Sequence, residues 1–267
     1  MKKIFGFSLG EIIITLTVLG ILAIITLPNL INRVHDKISI TKFKVVSSAL
    51  FNAFDQFLAE NGGWNNILWP DETDCWGCNK SAQLLMDELA SRMNVSKYCK
   101  YGTSNQNDCL FKTKYYTHNN VGKNTYARYQ TLNDLVTGNN VSTLSIKGDQ
   151  KSGMIYLSNG ALISIKSFYQ IKEHPTRYNG AIQIDINGSK SPNRLGYDVF
   201  FLVFDTNGIS VNGFLTKKDW NLRFNKKYCK YGGPNDGNNA YDGMACSYWI
   251  LMKNNMDYKY RDTSNEW

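Results

Sequence analysis

The stretch GFSLGEIIITLTVLGILAII, residues 6–25, decides the fold. It places one carboxylate, Glu11, at the mouth of a run in which every residue from Ile12 to Leu27 is apolar, glycine or threonine. Phe7 to Ile31 supplies the ~20 residues needed to cross a bilayer core. Lys2 and Lys3 precede it, and a basic flank favours a cytoplasmic N-terminus with the rest of the chain exported. A secretory signal peptide would show a shorter core and small residues at a cleavage site. Pro28-Asn29-Leu30-Ile31 stands there instead. A plain anchor explains the hydrophobicity but leaves Glu11 without a reason, because a charge at the membrane edge costs free energy.

Past Pro28 the apolar positions continue at helical spacing: Ile31, Val34, Ile38, Val45, Ala49, Ala53 and Phe57, widened by Val46, Leu50, Phe54 and Leu58. Arg33, Asp36, Lys37, Lys44, Asn52, Asp55 and Gln56 take the opposite side. Asn61-Gly62-Gly63 ends the pattern as a glycine cap does. The spacing therefore predicts one helix over about 8–60, apolar all round in its first half and amphipathic in its second. Pro28 removes a hydrogen bond to the Ile24 carbonyl and is expected to kink or locally melt it.

The remaining chain is long enough for a packed head. Of 267 residues 43% are hydrophobic and 13% aromatic, and only 19% are charged, with a formal net charge of +8. Ser81–Met93 reads as a short amphipathic helix. Met154–Leu157 and Ala161–Lys166 flank Ser158-Asn159-Gly160, a hairpin pattern because Asn-Gly tolerates positive φ. Ala181–Ile186, Asp198–Phe204 and Ile209–Val211 read as further strands, the last two joined by Asn207-Gly208. Tyr98–Gln150 is weakly periodic and reads as loops with short strands. The expected class is α+β: a long N-terminal helix packed on an antiparallel sheet.

Six cysteines, Cys75, Cys78, Cys99, Cys109, Cys229 and Cys246, all lie beyond the apolar segment, which suits an oxidising compartment. The hexapeptide KYCKYG occurs at Lys97–Gly102 and at Lys227–Gly232. Each copy precedes an Asn/Asp-rich loop and another cysteine, which favours the pairs Cys99–Cys109 and Cys229–Cys246 among several connectivities. Cys75-Trp-Gly-Cys78 could be a redox pair or half a zinc site. The acidic turn Pro70–Asp74 before it and the lack of a second C-x-x-C favour a structural disulfide.

Asp185, Asn187 and Asp198 could offer oxygens to calcium, though the spacing is not that of an EF-hand and turn formation accounts for the same residues. The histidines His35, His118 and His174 are far apart, and no nucleophile elbow, P-loop or H-E-x-x-H pattern joins them, so no enzyme is expected. Lys217, Lys218, Arg223, Lys226, Lys227 and Lys230 concentrate positive charge. No helix-turn-helix, zinc-finger or RRM pattern accompanies them, which leaves DNA a weakly indicated partner.

The basic leader ending in Gly6, the sequence Phe7-Ser8-Leu9-Gly10-Glu11, the apolar helix and Pro28 together resemble the N-terminus of the type IV pilin and type II secretion pseudopilin superfamily. The motif-bearing resemblance covers about the first sixty residues, and for the head it is architectural only. Gly10 departs from the pattern, since the family often has threonine or a larger residue there. The resemblance implies cleavage between Gly6 and Phe7 by a prepilin peptidase, methylation of the new Phe7 amine, and pairing of Glu11 with such an amine on a neighbouring subunit. It implies a leader at 1–6, a transmembrane and filament-core half-helix at 7–31, an amphipathic half at 32–60 and an extracytoplasmic head at 61–267 with disulfide-stapled loops. The precursor would sit in the bacterial inner membrane, in contact with its lipid, before joining homologous subunits in a helical filament in the periplasm or at the cell surface. Some secretion pseudopilins hold calcium in a head loop. A secretion, pilus or DNA-uptake (competence) subunit all fit; the rival from another class is an exported binding protein or enzyme anchored by the same helix.

Overall fold

The computed structural model describes residues 8–70, 79–100, 153–168, 179–188, 190, 193–210, 229–231, 243–263 and 265–267. Two compact units divide the chain, Met1–Ile38 and Ser39–Trp267. Helix α1 runs from Leu9 to Glu60 and passes through Pro28 without a break, so the helix does not melt there. Its C-terminus closes as the glycines require. The Gly63 N–H donates to the Leu58 carbonyl (2.8 Å) and the Gly62 N–H to Ala59 (3.1 Å), with Gly62 at φ +68°. That paired pattern needs a left-handed residue, which glycine adopts without a Cβ penalty.

The second unit is an α+β body. Strands β1 (Val95–Cys99), β2 (Met154–Leu157), β3 (Leu162–Phe168), β4 (Gly180–Asp185), β5 (Val199–Asp205) and β6 (Gly208–Ser210) pair in chain order as one antiparallel sheet. The β2–β3 hairpin turns through Gly160 at φ +84°, and Asn159 Oδ1 accepts the Ala161 N–H at 3.0 Å. On one face Ile155, Ile163, Ile182, Ile184, Phe200 and Leu202 alternate into the main core. On the other, Met154, Leu162, Gln183, Val199, Phe201 and Val203 are buried as well. Burial on both sides explains why β4 and β5 read as nearly continuous apolar runs.

The part of α1 within this unit packs on the sheet through a face rotated from the expected one. Ile40, Phe43, Val46, Leu50, Ala53, Phe54 and Phe57 are buried, whereas Val45 is 56% exposed; Ala49 is exposed too. The aromatics decide the phase, because each buries far more apolar area than valine or alanine. Phe43 meets Phe200 with ring centroids 4.5 Å apart, and Phe54 meets Phe204 at 5.5 Å. Trp64 and Trp69, 4.6 Å apart, extend the cluster beyond the helix end.

Helix α2 (Asn79–Arg92) inserts Ala82, Leu85, Met86 and Leu89 into the same core. Its last residue, Arg92, pairs with Glu88 and with Glu60 of α1, and its guanidinium lies 5.6 Å from the Phe57 ring centroid. Helix α3 (Cys246–Lys253) lies against β5, where Ser247 Oγ donates to the Phe201 carbonyl and the Val203 N–H donates to Tyr248 Oη at 3.2 Å. Neither β1 nor α3 was expected as a distinct element. β1 sits at the margin of the polar Tyr98–Gln150 stretch, and α3 is an eight-residue buried run.

Candidate functional site

The N-terminus of α1 carries a reciprocal cap. The Ser8 backbone N–H donates to Glu11 Oε2 at 2.7 Å, Ser8 Oγ donates to the same oxygen at 2.9 Å, and the Glu11 N–H donates to Ser8 Oγ at 3.3 Å. A capping box of this S-x-x-E form supplies partners for helix-end donors that otherwise have none. The pattern Ser8-Leu-Gly-Glu11 before an apolar run is the sequence signal for this cap, which gives Glu11 a role beyond the ion pair expected of it.

The threonines of the helix beyond the cap bond within the helix itself. Thr15 Oγ1 donates to the Glu11 carbonyl, Thr17 Oγ1 to Ile13 and Thr26 Oγ1 to Leu22, each at 2.8 Å. Their hydroxyls are thus satisfied inside the helix, as groups facing lipid must be. Large apolar side chains stand exposed along the same stretch, among them Leu9, Ile14, Leu19, Ile24 and Leu30. This helix is long and apolar enough to cross a membrane. Glu11 Oε1, in contrast with Oε2, has no hydrogen-bond partner among the described residues. Gly6 and Phe7, the expected processing site, lie outside the described residues.

Cys229 and Cys246 form a disulfide across 17 residues with Cα atoms 4.9 Å apart, the pairing favoured from their spacing. Both are fully buried, so the bond ties the start of α3 into the core. Cys99, at the end of β1, is also disulfide-bonded. Cys75, Cys78 and Cys109 lie outside the described residues, and with them the C-x-x-C reading and the Cys99–Cys109 pairing. The two KYCKYG copies share one local arrangement. Each cysteine is buried in a disulfide, and the lysine after it reaches a carboxylate: Lys100 to Asp87 at 3.1 Å, Lys230 to Asp262 at 3.5 Å.

The structure brings Asp185, Asn187 and Asp198 together. Asp185 Oδ1 accepts the Asn187 N–H at 3.1 Å. Asp198 accepts the Asn193 N–H on Oδ2 at 2.8 Å and the Arg194 N–H on Oδ1 at 2.6 Å, and hydrogen-bonds the Asn187 side chain. Burial pushes the Asp198 carboxyl up to about 6, opposed by those hydrogen bonds. Both carboxylates close turns of their own backbone, and among the described residues no three His, Cys, Asp or Glu side chains gather where a metal could sit. The Asp185 and Asp198 carboxylates thus accept N–H groups of their own loop.

Of the basic run, Lys230 is described and the residues from Lys217 to Lys227 are not. His35 lies exposed on α1, while His118 and His174 fall outside the described residues. Comparisons with protein-family models, with curated proteins and with solved structures return no match to this chain.

Proposed function

We propose that this chain is a non-enzymatic structural subunit of a type IV pilus or type II secretion filament, made as an inner-membrane precursor. The observation that carries the reading is the asymmetry of Glu11. In an apolar helix whose threonines are internally satisfied, one carboxylate oxygen serves the cap and the other has no partner among the described residues. An anion at the edge of lipid needs a cation to offset its desolvation. A prepilin peptidase cut between Gly6 and Phe7 would create that cation, an α-amine next to Ser8. A neighbouring subunit's amine could meet Oε1 without dismantling the cap.

Under this reading the exposed apolar face of Leu9 to Ile31 rests first in lipid and then among the helices of other subunits. Pairing of Glu11 with a neighbour's Phe7 amine sets the axial register. Membrane anchoring through this helix, with the second unit exported, agrees with the disulfide between Cys229 and Cys246. The test separates processing from assembly. Glu11→Ala precursor should still be cut by the peptidase and should fail to enter sheared filaments. Filaments of parental length and yield from Glu11→Ala would refute the register role.

A further inference from the structure

We propose that Ser164 and Gln183 together hold one buried water molecule on the second face of the sheet. This site owes nothing to Glu11 and stands whether or not the chain enters filaments.

Ser164 of β3 and Gln183 of β4 stand directly opposite each other in the antiparallel register, with Met154 of β2 on one side and Phe201 of β5 on the other. The four form one row across the sheet. Side chains opposed in this way share a face, with Cβ atoms about 5 Å apart. Leu162, Val199 and Val203 on that face are apolar and buried. Asp185, two residues along β4, gives Oδ1 to the Asn187 N–H. Ser164 is 3% exposed and Gln183 1% exposed. Yet among the described residues neither Ser164 Oγ nor Gln183 Nε2 has a hydrogen-bond partner. Leaving two neighbouring polar atoms dry would cost the desolvation of both with nothing in return.

The ladder is least regular beside this row. β3 carries an extra residue, Lys166, between Ile165, which faces Ile182, and Ser167, which faces Ala181. Such a bulge bends its strand and sharpens the local twist. The chemistry of the pair then selects the occupant. Gln183 Nε2 can only donate, whereas a serine hydroxyl both donates and accepts. An apolar occupant would leave both atoms unpaired, and a cation would meet the N–H of the amide. An anion could take a hydrogen from each, but the row of Met154, Ser164, Gln183 and Phe201 holds no positive charge to offset its desolvation. A water oxygen accepts from Nε2 and returns a hydrogen to Oγ, which is how buried waters commonly satisfy polar groups.

The test is a crystal structure of the full chain in nonionic detergent, paired with urea unfolding of variants. One ordered oxygen within about 3.2 Å of both Ser164 Oγ and Gln183 Nε2 is expected. Ser164→Ala should raise the unfolding equilibrium constant about tenfold, because the water and the amide lose their partner together. Adding Gln183→Leu should undo most of that loss and leave the double variant within about threefold of the parent, since an apolar pair of similar shape needs no water. A direct hydrogen bond between Gln183 and Ser164 in the crystal, or no ordered oxygen between them, would overturn the proposal. So would effects of Ser164→Ala and Gln183→Leu that simply add, because groups sharing one water must couple. Should the double variant not fold, the density in the parent crystal alone decides.

Discussion

Ser8 and Glu11 cap each other: the serine N–H and hydroxyl both reach Glu11 Oε2, at 2.7 and 2.9 Å, while the glutamate N–H returns to the serine oxygen. One carboxylate can therefore end a helix and still present an oxygen to a second partner. The two roles separate by mutation. Ser8→Ala removes the hydroxyl contacts but leaves the charge. It should speed amide exchange at Leu9 to Ile12 about fivefold, the usual effect of losing a cap, while filaments still form. Glu11→Ala should produce the same fraying and also abolish assembly. Equal assembly defects in both variants would mean that the cap alone is what assembly requires.

Arg92 ties the ends of α1 and α2 by pairing with Glu60 and Glu88 over the Phe57 ring. Its side chain is 14% exposed, whereas that of Glu60 is 61% exposed. Arg92→Ala loses apolar stem packing together with both pairs and should lower unfolding free energy by about 2 kcal/mol. Glu60→Ala removes only a solvated partner and should cost less than about 0.5 kcal/mol. Urea unfolding followed by tryptophan fluorescence compares the two directly.

The Cys229–Cys246 bond closes a 17-residue separation. On the chain-entropy model such a loop contributes about 3 kcal/mol. Cys229→Ser with Cys246→Ser should lower the thermal midpoint by several degrees relative to the oxidised parent. Reductant added to that double variant should then have a smaller further effect than reductant added to the parent.

Asp198 gives the second unit a pH dependence of predictable sign. Its carboxyl rises from an ordinary 3.8 to about 6, chiefly through burial, so the folded state holds a proton that the unfolded chain releases. This contribution to stability is complete below about pH 3.8 and is lost as pH rises through 6. The slope does not exceed about 1.4 kcal/mol per pH unit. Asp198→Asn should flatten the stability profile between pH 4 and 6 relative to the parent. Parallel profiles would mean that Asp198 does not titrate in this window.

Much of this fold was legible because local chemistry and global packing agree. Asn159-Gly160 announces its hairpin through a positive φ that few other pairs tolerate, and Gly62-Gly63 marks the end of α1 for the same reason. The phase of the α1 stripe was not legible, because Val45 and Phe43 are both apolar. Only the sheet, through Phe200 and Phe204, selects the aromatic side. β1 was hidden because an edge strand needs little apolar alternation. Ser96 Oγ on the Tyr156 carbonyl and Tyr98 Oη on Asp87 (2.6 Å) hold it instead. α3 was hidden because a short buried run carries no period, and contacts with β5 determine its form. At the N-terminus the cap is written in the sequence by Ser8 three residues before Glu11, and the same carboxylate carries the charge that suggests an ion pair.

The central claim is that Glu11 awaits an amine created by cutting the chain. Intact-mass and N-terminal peptide mass spectrometry of protein produced alongside a prepilin peptidase tests this most directly. The account predicts a chain beginning at Phe7 with one methyl group on its α-amine. A chain that keeps Met1, or that begins elsewhere without methylation, would contradict it.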